Sequence, residues 1–342
     1  MTKLLVFGNN NSPHIKTWDI FYNNCPSLTV YNDLYIKEGN LSSISFLKEI
    51  YKVNKYIKDK KIDVVHTHSA GIFGLNSLFL NQSFILTIYG SELYNSINNP
   101  FKKIIMILVL KKAKAISCSS IAAQDFIKKN FSKSIYKKTF LFSIPANNNF
   151  INKKFKKRVD IFSNRRIGEL YNTFEIIKSY EQVKEILKQK VGDLVLLDGY
   201  SDNNSYRDSI IKYVSDSKFK NNIQIISKKL NSEDLNNIYN SSKCFINIPH
   251  SDQLSLSFLE GVKTECIPIV SNIPAYDQIS EKYNIKKVDT TNNSNIISQL
   301  KNILIEVYSD NNELPDFNRL NYEYNNINKS IDEFKKFIGD VK

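Results

Sequence analysis

Two carboxylates eight positions apart mark the run His250-Ser251-Asp252-Gln253-Leu254-Ser255-Leu256-Ser257-Phe258-Leu259-Glu260-Gly261. Asp252 leads a tight loop, small hydroxyl residues open a helix, and Glu260 lies inside that helix. The first turn of a helix has backbone N–H groups with no partner in the helix, and the helix dipole puts positive potential at that end. Ser255, Leu256 and Ser257 therefore form an anion site that suits a diphosphate. Glu260, a turn or so further in, reaches neutral hydroxyls such as those of a ribose, and Asp252 at the mouth of the loop can hold sugar hydroxyls. Metal chemistry finds no such signal. No D-x-D motif is evident, and Cys25, Cys118, Cys244 and Cys266 lie far apart, with no C-x-x-C pair and no histidine at ligand spacing, so they read as buried free thiols.

Elements that could position this motif follow from length and pattern. A chain of 342 residues holds about two domains at roughly 150 residues each. Its 42% hydrophobic and 24% charged content excludes a disordered or fibrous class. The longest apolar run, Ile104 to Leu110, is far below the ~18 residues of a spanning helix, and the start MTKLLVFGNNN lacks a signal peptide's cleavage region, so a cytoplasmic protein is expected. Apolar runs at Lys3 to Phe7, Ile62 to Val65, Phe84 to Ile88, Ala115 to Ser119 and Thr139 to Phe142 read as strands. Helical patterns at His14 to Tyr22, Leu47 to Lys58, Gly71 to Leu80, Pro100 to Lys112 and Ala122 to Asn130 alternate with them, which implies a parallel sheet. Asn147 to Lys157, polar and then strongly basic, suits an exposed linker. A second series follows, with strands at Val159 to Phe162, Asp193 to Leu197, Ile223 to Ile226, Cys244 to Ile248 and Ile267 to Val270. The expected fold class is α/β, two doubly wound domains over 1–150 and 151–325. Open parallel sheets bind ligands at the carboxyl ends of their strands, so a ligand cleft between two facing sheets is expected.

The D-x7-E run resembles the E-x7-E motif of the family 4 glycosyltransferases of the GT-B fold, in a variant that similar bacterial sequences carry as S-D-G-T-S-x-S-L-L-E, with Gln253 here in the place of the glycine. Glu265 to Ala275 is similar to that family's G-x-P-V-I-x-S-x-I-P stretch, and Leu235 to Asn247 to its Y-x-x-A-D-V-F-V segment. Ser163 to Asn172 resembles the R-L-x-x-x-K-G motif that grips the donor diphosphate: Arg166 matches the arginine, Tyr171 occupies the lysine position, and Arg165 is a second cation. Guanidinium forks bind phosphate oxygens bidentately, so the pair can neutralise a leaving diphosphate. Asp63 to Gly71 and Leu86 to Tyr94 look like the acceptor-domain motifs D-x-x-H-x-H and x-H-G-S-D-x-Y, with Tyr89 where the second has histidine. The resemblance implies a GT-B fold, with a final helix at 326–342 packing back on the first domain. It implies retaining transfer of a sugar from a nucleotide diphosphate donor, UDP-sugar rather than GDP-sugar, to a glycan or lipid-linked glycan in bacterial surface polysaccharide assembly, with no cofactor or metal. The implied catalytic residues are Arg166, Arg165, Asp252 and Glu260. Gly8, Tyr171, Ser255, Leu256, Ser257 and Glu260 would bind the donor, Gly8 in a glycine loop running to His14, and His68, Tyr89 and Gly90 the acceptor or sugar.

Other readings of the same residues stand beside these. Glu260 alone would be a solvated helix residue, the two arginines surface charge after a strand, and Gly8 a turn glycine. His66 and His68 alternate on a strand end, so one is expected to face the core or steady a loop while His68 lines the cleft. Lys and Arg (47) exceed Asp and Glu (34), and the net charge of +13 favours polyanionic surroundings without choosing among nucleic acid, acidic lipid and phosphorylated substrates. No recognition helix or aromatic RNA motif stands out, so nucleic acid is not an expected partner. The segment Phe101 to Lys112 is apolar on nearly every face between terminal lysines, which favours burial against the sheet; peripheral contact with an acidic membrane surface is its other reading. Two further functions remain open: a nucleotide-sugar epimerase of GT-B shape, and a non-catalytic subunit that binds a glycan or a protein, the latter suggested by Tyr89 and Tyr171.

Overall fold

Strands covered on both faces need apolar side chains in both directions, which is why the runs Leu4 to Phe7, Phe84 to Leu86 and Phe245 to Ile246 are wholly buried. The computed structural model describes residues 1–342 apart from 10–12, 33–42, 157, 199–203, 310–312 and 340–342. Its first sheet holds β1 (Thr2–Phe7), β2 (Leu28–Tyr31), β3 (Val64–His68), β4 (Phe84–Thr87), β5 (Ile116–Cys118) and β6 (Thr139–Leu141), all parallel, in the order β2-β1-β3-β4-β5-β6. The second holds β7 (Asp160–Arg166), β8 (Leu194–Leu197), β9 (Ile223–Ile226), β10 (Ser242–Asn247), β11 (Ile267–Ser271) and β12 (Lys286–Val288), also parallel, in the order β12-β11-β10-β7-β8-β9. Helices connect successive strands in both. The chain divides into two compact units, one of Met1–Ile144 with Asn326–Lys342 and one of Pro145–Asn325.

Within the first unit, the amphipathic helix Ile327–Gly339 lays Phe334 and Phe337 against Trp18, Phe21 and Phe142. The Phe334 ring lies 5.1 Å from that of Phe21 and 5.9 Å from that of Trp18. The helix Pro100–Lys112 departs from the expectation of all-round burial. Met106, Val109 and Leu110 meet the core, while Phe101, Ile104 and Leu108 face outward. Its apolar residues exceed what one sheet face can cover, because a straight helix presents only a stripe to its neighbour.

Within the second unit, the segment expected as an exposed linker is exposed at 147–149, Ile151 and 153–156, yet it is anchored to its neighbours. Ala146 and Phe150 are buried in the core, the backbone N–H of Ile151 donates to Asn236 Oδ1 at 3.1 Å, and that of Lys153 to Asn240 Oδ1 at 2.7 Å. Its basic side chains are exposed, as their composition suggested, while its backbone is fastened, which composition does not reveal. Helix Ser232–Ser241 starts with a reciprocal capping box between Asn231 and Asp234. Helix Phe317–Tyr324 packs on Leu256–Lys263, and Asn325 Nδ2 just after it donates to Leu259 O at 3.0 Å. All four cysteines are buried and unpaired.

Candidate functional site

β7 and β10 are neighbours, yet the chain proceeds from β7 toward β8 and β9 on one flank and from β10 toward β11 and β12 on the other. At such a reversal the connections diverge and leave room above the strands' carboxyl ends. β7 ends in Asn164-Arg165-Arg166, and β10 runs into the loop that carries Asp252 and Ser255.

Arg165 is the hub. Its Nη1 lies 3.3 Å from Asp252 Oδ2 and donates to Ser257 Oγ at 3.3 Å, and its Nη2 donates to the Tyr171 hydroxyl at 3.3 Å. The guanidinium also sits 4.7 Å from the centre of the Tyr171 ring. Burial works against the charge, but Asp252 and Tyr171 outweigh it and hold Arg165 above the usual arginine range. All three polar contacts are longer than the roughly 2.8 Å of a tight charge-assisted bond, so a phosphate can exchange into them. Tyr171, where the resemblance places a lysine, thus supports an arginine. Arg166, the last residue of β7, is half-buried beside Leu197 where the β7–β8 register shifts.

Ser255 caps the helix Leu256–Lys263, its hydroxyl accepting from the Phe258 N–H at 3.2 Å. The N–H groups of Leu256 and Ser257 donate to no described residue. Asn247 fixes the cap from the end of β10, its Nδ2 donating to Ser255 Oγ at 2.8 Å and to the Tyr276 hydroxyl at 3.0 Å. Asn164 ties β7 to the same turn through Ser257 O at 3.1 Å, and the Tyr239 hydroxyl donates to that carbonyl at 2.7 Å. The Oδ1 atoms of Asn164 and Asn247 are buried without a hydrogen bond among the described residues. Asn172, in the left-handed conformation, donates to Ile248 O at 2.6 Å and locks the two strand-end loops together. Glu260 lies one turn into the helix, its carboxyl with no hydrogen-bond partner among the described residues. Burial pushes its carboxyl up to about 8 against the opposing pull of Arg165.

The first sheet has its own reversal between β1 and β3. Gly8 follows β1, and a Cβ there would displace the tip of Ile15, whose Cδ1 would stand at 2.6 Å, and crowd His68 Cβ at 3.0 Å. Of the loop expected from Gly8 to His14, residues 10–12 lie outside the described ones. His66 and His68 do not face opposite ways. Two positions apart on one strand, they share a face, with ring centres 4.2 Å apart. The Tyr22 hydroxyl bridges His66 Nδ1 at 2.8 Å and His68 Nε2 at 3.0 Å, His66 Nε2 meets Thr87 Oγ1 at 2.8 Å, and His68 Nδ1 meets the Tyr89 hydroxyl at 2.9 Å. Burial, aided by His68, holds His66 well below the usual histidine range, and burial pushes His68 down to about 3. Both rings are therefore neutral, and His68 spends both nitrogens inside the protein. Tyr89 is half-buried, and Gly90 has φ 114°, a conformation that favours glycine. Glu92 Oε1 accepts from the Tyr89 N–H at 2.9 Å and shapes this turn.

Asn164, Asn247, Tyr239, Tyr276, Tyr22 and Glu92 were absent from the sequence reading. For Asn247 a signal exists: a lone amide after the apolar run Cys244-Phe245-Ile246.

Residues 4–120, about a third of the chain, match the family model described as "Glycosyl transferase 4-like". No curated protein matches the chain. Among solved structures, the sucrose-phosphate synthase of Thermosynechococcus elongatus is similar over 100% of both chains, at 12% identity and a TM-score of 0.75. HepE from Anabaena, in complex with UDP and glucose, is similar over 99% of this chain and 100% of its own, at 9% identity and a TM-score of 0.75. A UDP-N-acetylglucosamine 2-epimerase from Listeria monocytogenes is similar over 100% of this chain and 97% of its own, at 13% identity and a TM-score of 0.66. The fold is GT-B, with two Rossmann-like domains.

Proposed function

We propose that this chain is a glycosyltransferase that takes a sugar from a nucleotide diphosphate donor at the β7/β10 reversal. The observation that carries the reading is the convergence, on one turn, of the Arg165 guanidinium, the two undonated N–H groups of Leu256 and Ser257, and the unpartnered Glu260 carboxyl. Cation and N–H groups suit a diphosphate, and a carboxyl one helical turn away suits ribose hydroxyls. Arg166 and Tyr171 complete the donor site, and Asp252 holds Arg165 and sugar hydroxyls. The UDP in the HepE structure favours a UDP-sugar.

In the proposed reaction the bond from the sugar's anomeric carbon to the diphosphate oxygen breaks, and a bond to an acceptor hydroxyl oxygen forms on the same face. The acceptor's proton passes to the departing diphosphate oxygen. Negative charge grows on the diphosphate as the old bond opens, so Arg165, Arg166 and the helix N–H groups stabilise the transition state more than the ground state. These groups take the part that a divalent cation plays elsewhere. Tyr89 and Gly90 contribute to acceptor or sugar binding; Gly8 and His68 support them by packing. A glycan or lipid-linked glycan of a bacterial surface polysaccharide is the proposed acceptor.

The epimerase-like neighbour motivates one competing reading, and a single assay separates the two. Purified protein is incubated with UDP-, GDP- and CMP-sugars in EDTA, with and without lipid-linked acceptor, while nucleotide release and sugar identity are followed. Release of UDP that depends on acceptor is expected. Conversion of the sugar without acceptor would establish an epimerase, and no turnover with any donor would favour a binding subunit.

A further inference from the structure

An uncovered apolar ridge runs across one side of the first unit. On the helix Pro100–Lys112, Phe101, Ile104 and Leu108 fall at helical spacing on one face and are 72%, 57% and 50% exposed. Beside this helix is the turn around Phe79, itself 52% exposed, where Lys112 Nζ donates to Leu78 O at 2.5 Å. The other flank of that turn is the helix Ser43–Lys60: the Phe46 ring lies 5.3 Å from that of Phe79, and Asn54 Nδ2 donates to Phe79 O at 3.1 Å. That helix exposes Leu47 and Tyr51 at 64% and 72%. Exposed apolar side chains of two helices thus flank a turn that both helices touch, a concentration that scattered surface residues do not make.

The charge around the ridge selects its occupant. Residues 100–114 contain five lysines and no Asp or Glu, with Lys102, Lys111, Lys112 and Lys114 exposed. Residues 46–58 add Lys48, Lys52, Lys55 and Lys58 against Glu49 alone. Docking a second copy through this face would oppose lysine to lysine in a closing interface. An anionic bilayer meets both features at once: apolar tips enter the boundary between headgroups and acyl chains, and lysines beside them reach acidic headgroups.

We propose that this face of the first unit rests on an anionic lipid surface, with the helix Pro100–Lys112 lying in the interface plane. No helix among the described residues is long and apolar enough to cross a membrane, so attachment through this face would be peripheral and reversible.

Vesicle flotation tests this without any donor or acceptor, and so stands apart from the proposed reaction. The protein should float with vesicles of phosphatidylcholine containing phosphatidylglycerol, and about tenfold less with phosphatidylcholine alone. The Ile104→Asp, Leu108→Asp double variant changes only exposed side chains and should cut flotation about tenfold or more at an unchanged melting temperature. Should that variant misfold, Lys102→Glu with Lys111→Glu serves instead and should abolish the preference for phosphatidylglycerol. Absence of the wild type from anionic vesicles would overturn the proposal, as would wild-type flotation by a folded variant. A wild-type dimer in solution that Ile104→Asp, Leu108→Asp converts to monomer would overturn it in favour of self-association.

Discussion

Glu260 is the residue at which burial, charge and ligand chemistry meet. Its carboxyl titrates near 8 in the folded protein and near 4.5 in a solvated chain, so between those values the fold retains a proton that the unfolded chain releases. Stability from this group is complete below about pH 4.5 and is lost as the pH rises toward 8. Glu260→Gln does not titrate, so its melting temperature should match the wild type near pH 5 and exceed it increasingly up to pH 8. If ribose hydroxyls donate to the ionised carboxylate, nucleotide affinity of the wild type should rise over the same interval, while the variant binds about tenfold or more weakly with no such slope. Parallel pH profiles of affinity in the two proteins would remove Glu260 from the nucleotide site. The spacing of Asp252 and Glu260 was legible because a motif in sequence maps to one loop and one helix. The role of Arg165 as hub was not, since its partners Asp252, Ser257 and Tyr171 come from three separate segments. The histidine pair shows the same limit. That His66 and His68 share a face follows from strand geometry, but their bridging by Tyr22, 44 and 46 residues away, is a fact of folding.

Among the elements, legibility followed the apolar run. Central strands read as apolar runs because both faces are covered; of the edge strands, Thr139–Leu141 and Ile223–Ile226 were read and β2 and β12, mixed with polar residues as LTVY and KKV, were not. β3 and β7 also extend past their apolar runs, into His66-Thr67-His68 and Ser163-Asn164-Arg165-Arg166. Polar residues there keep the strand because hydrogen bonds at the carboxyl end replace apolar packing, and those extensions carry the candidate chemistry. The helix Leu256–Lys263 lies on β10 through Gly261, where a Cβ would stand 2.3 Å from Phe245 Cε1. Phe245 cannot retreat easily, being packed edge-on against Tyr239 and Phe258. Gly261→Ala should therefore cost about 1–3 kcal/mol in denaturant unfolding, the usual penalty for overpacking a filled core. An unchanged midpoint would show that the helix can lift off its strand, and with it the diphosphate turn.

At the scale of the molecule, the same device appears twice. Each sheet reverses its winding direction once, β1 against β3 and β7 against β10, and the residues singled out by chemical type gather at those two reversals. The first gathers a neutral network closed by Tyr22 and Tyr89; the second gathers cation, free N–H groups and a protonated carboxyl. This asymmetry suits a division of labour in which the second domain binds the charged donor. Two domains of alternating strands and helices were legible from the rhythm of apolar runs. The fastening of Asn147 to Lys153 along the second unit was not, because it rests on backbone groups donating to Asn236 and Asn240. The join at Ile144/Pro145 was obscured for the same reason.

The central claim places a nucleotide diphosphate at the β7/β10 reversal, and a crystal structure of the protein with UDP tests it most directly. The account predicts diphosphate oxygens within about 3 Å of the Leu256 and Ser257 N–H groups and of the Arg165 guanidinium, with the ribose hydroxyls on Glu260. UDP bound elsewhere, or with its diphosphate turned away from Arg165 and the start of the helix Leu256–Lys263, would contradict it.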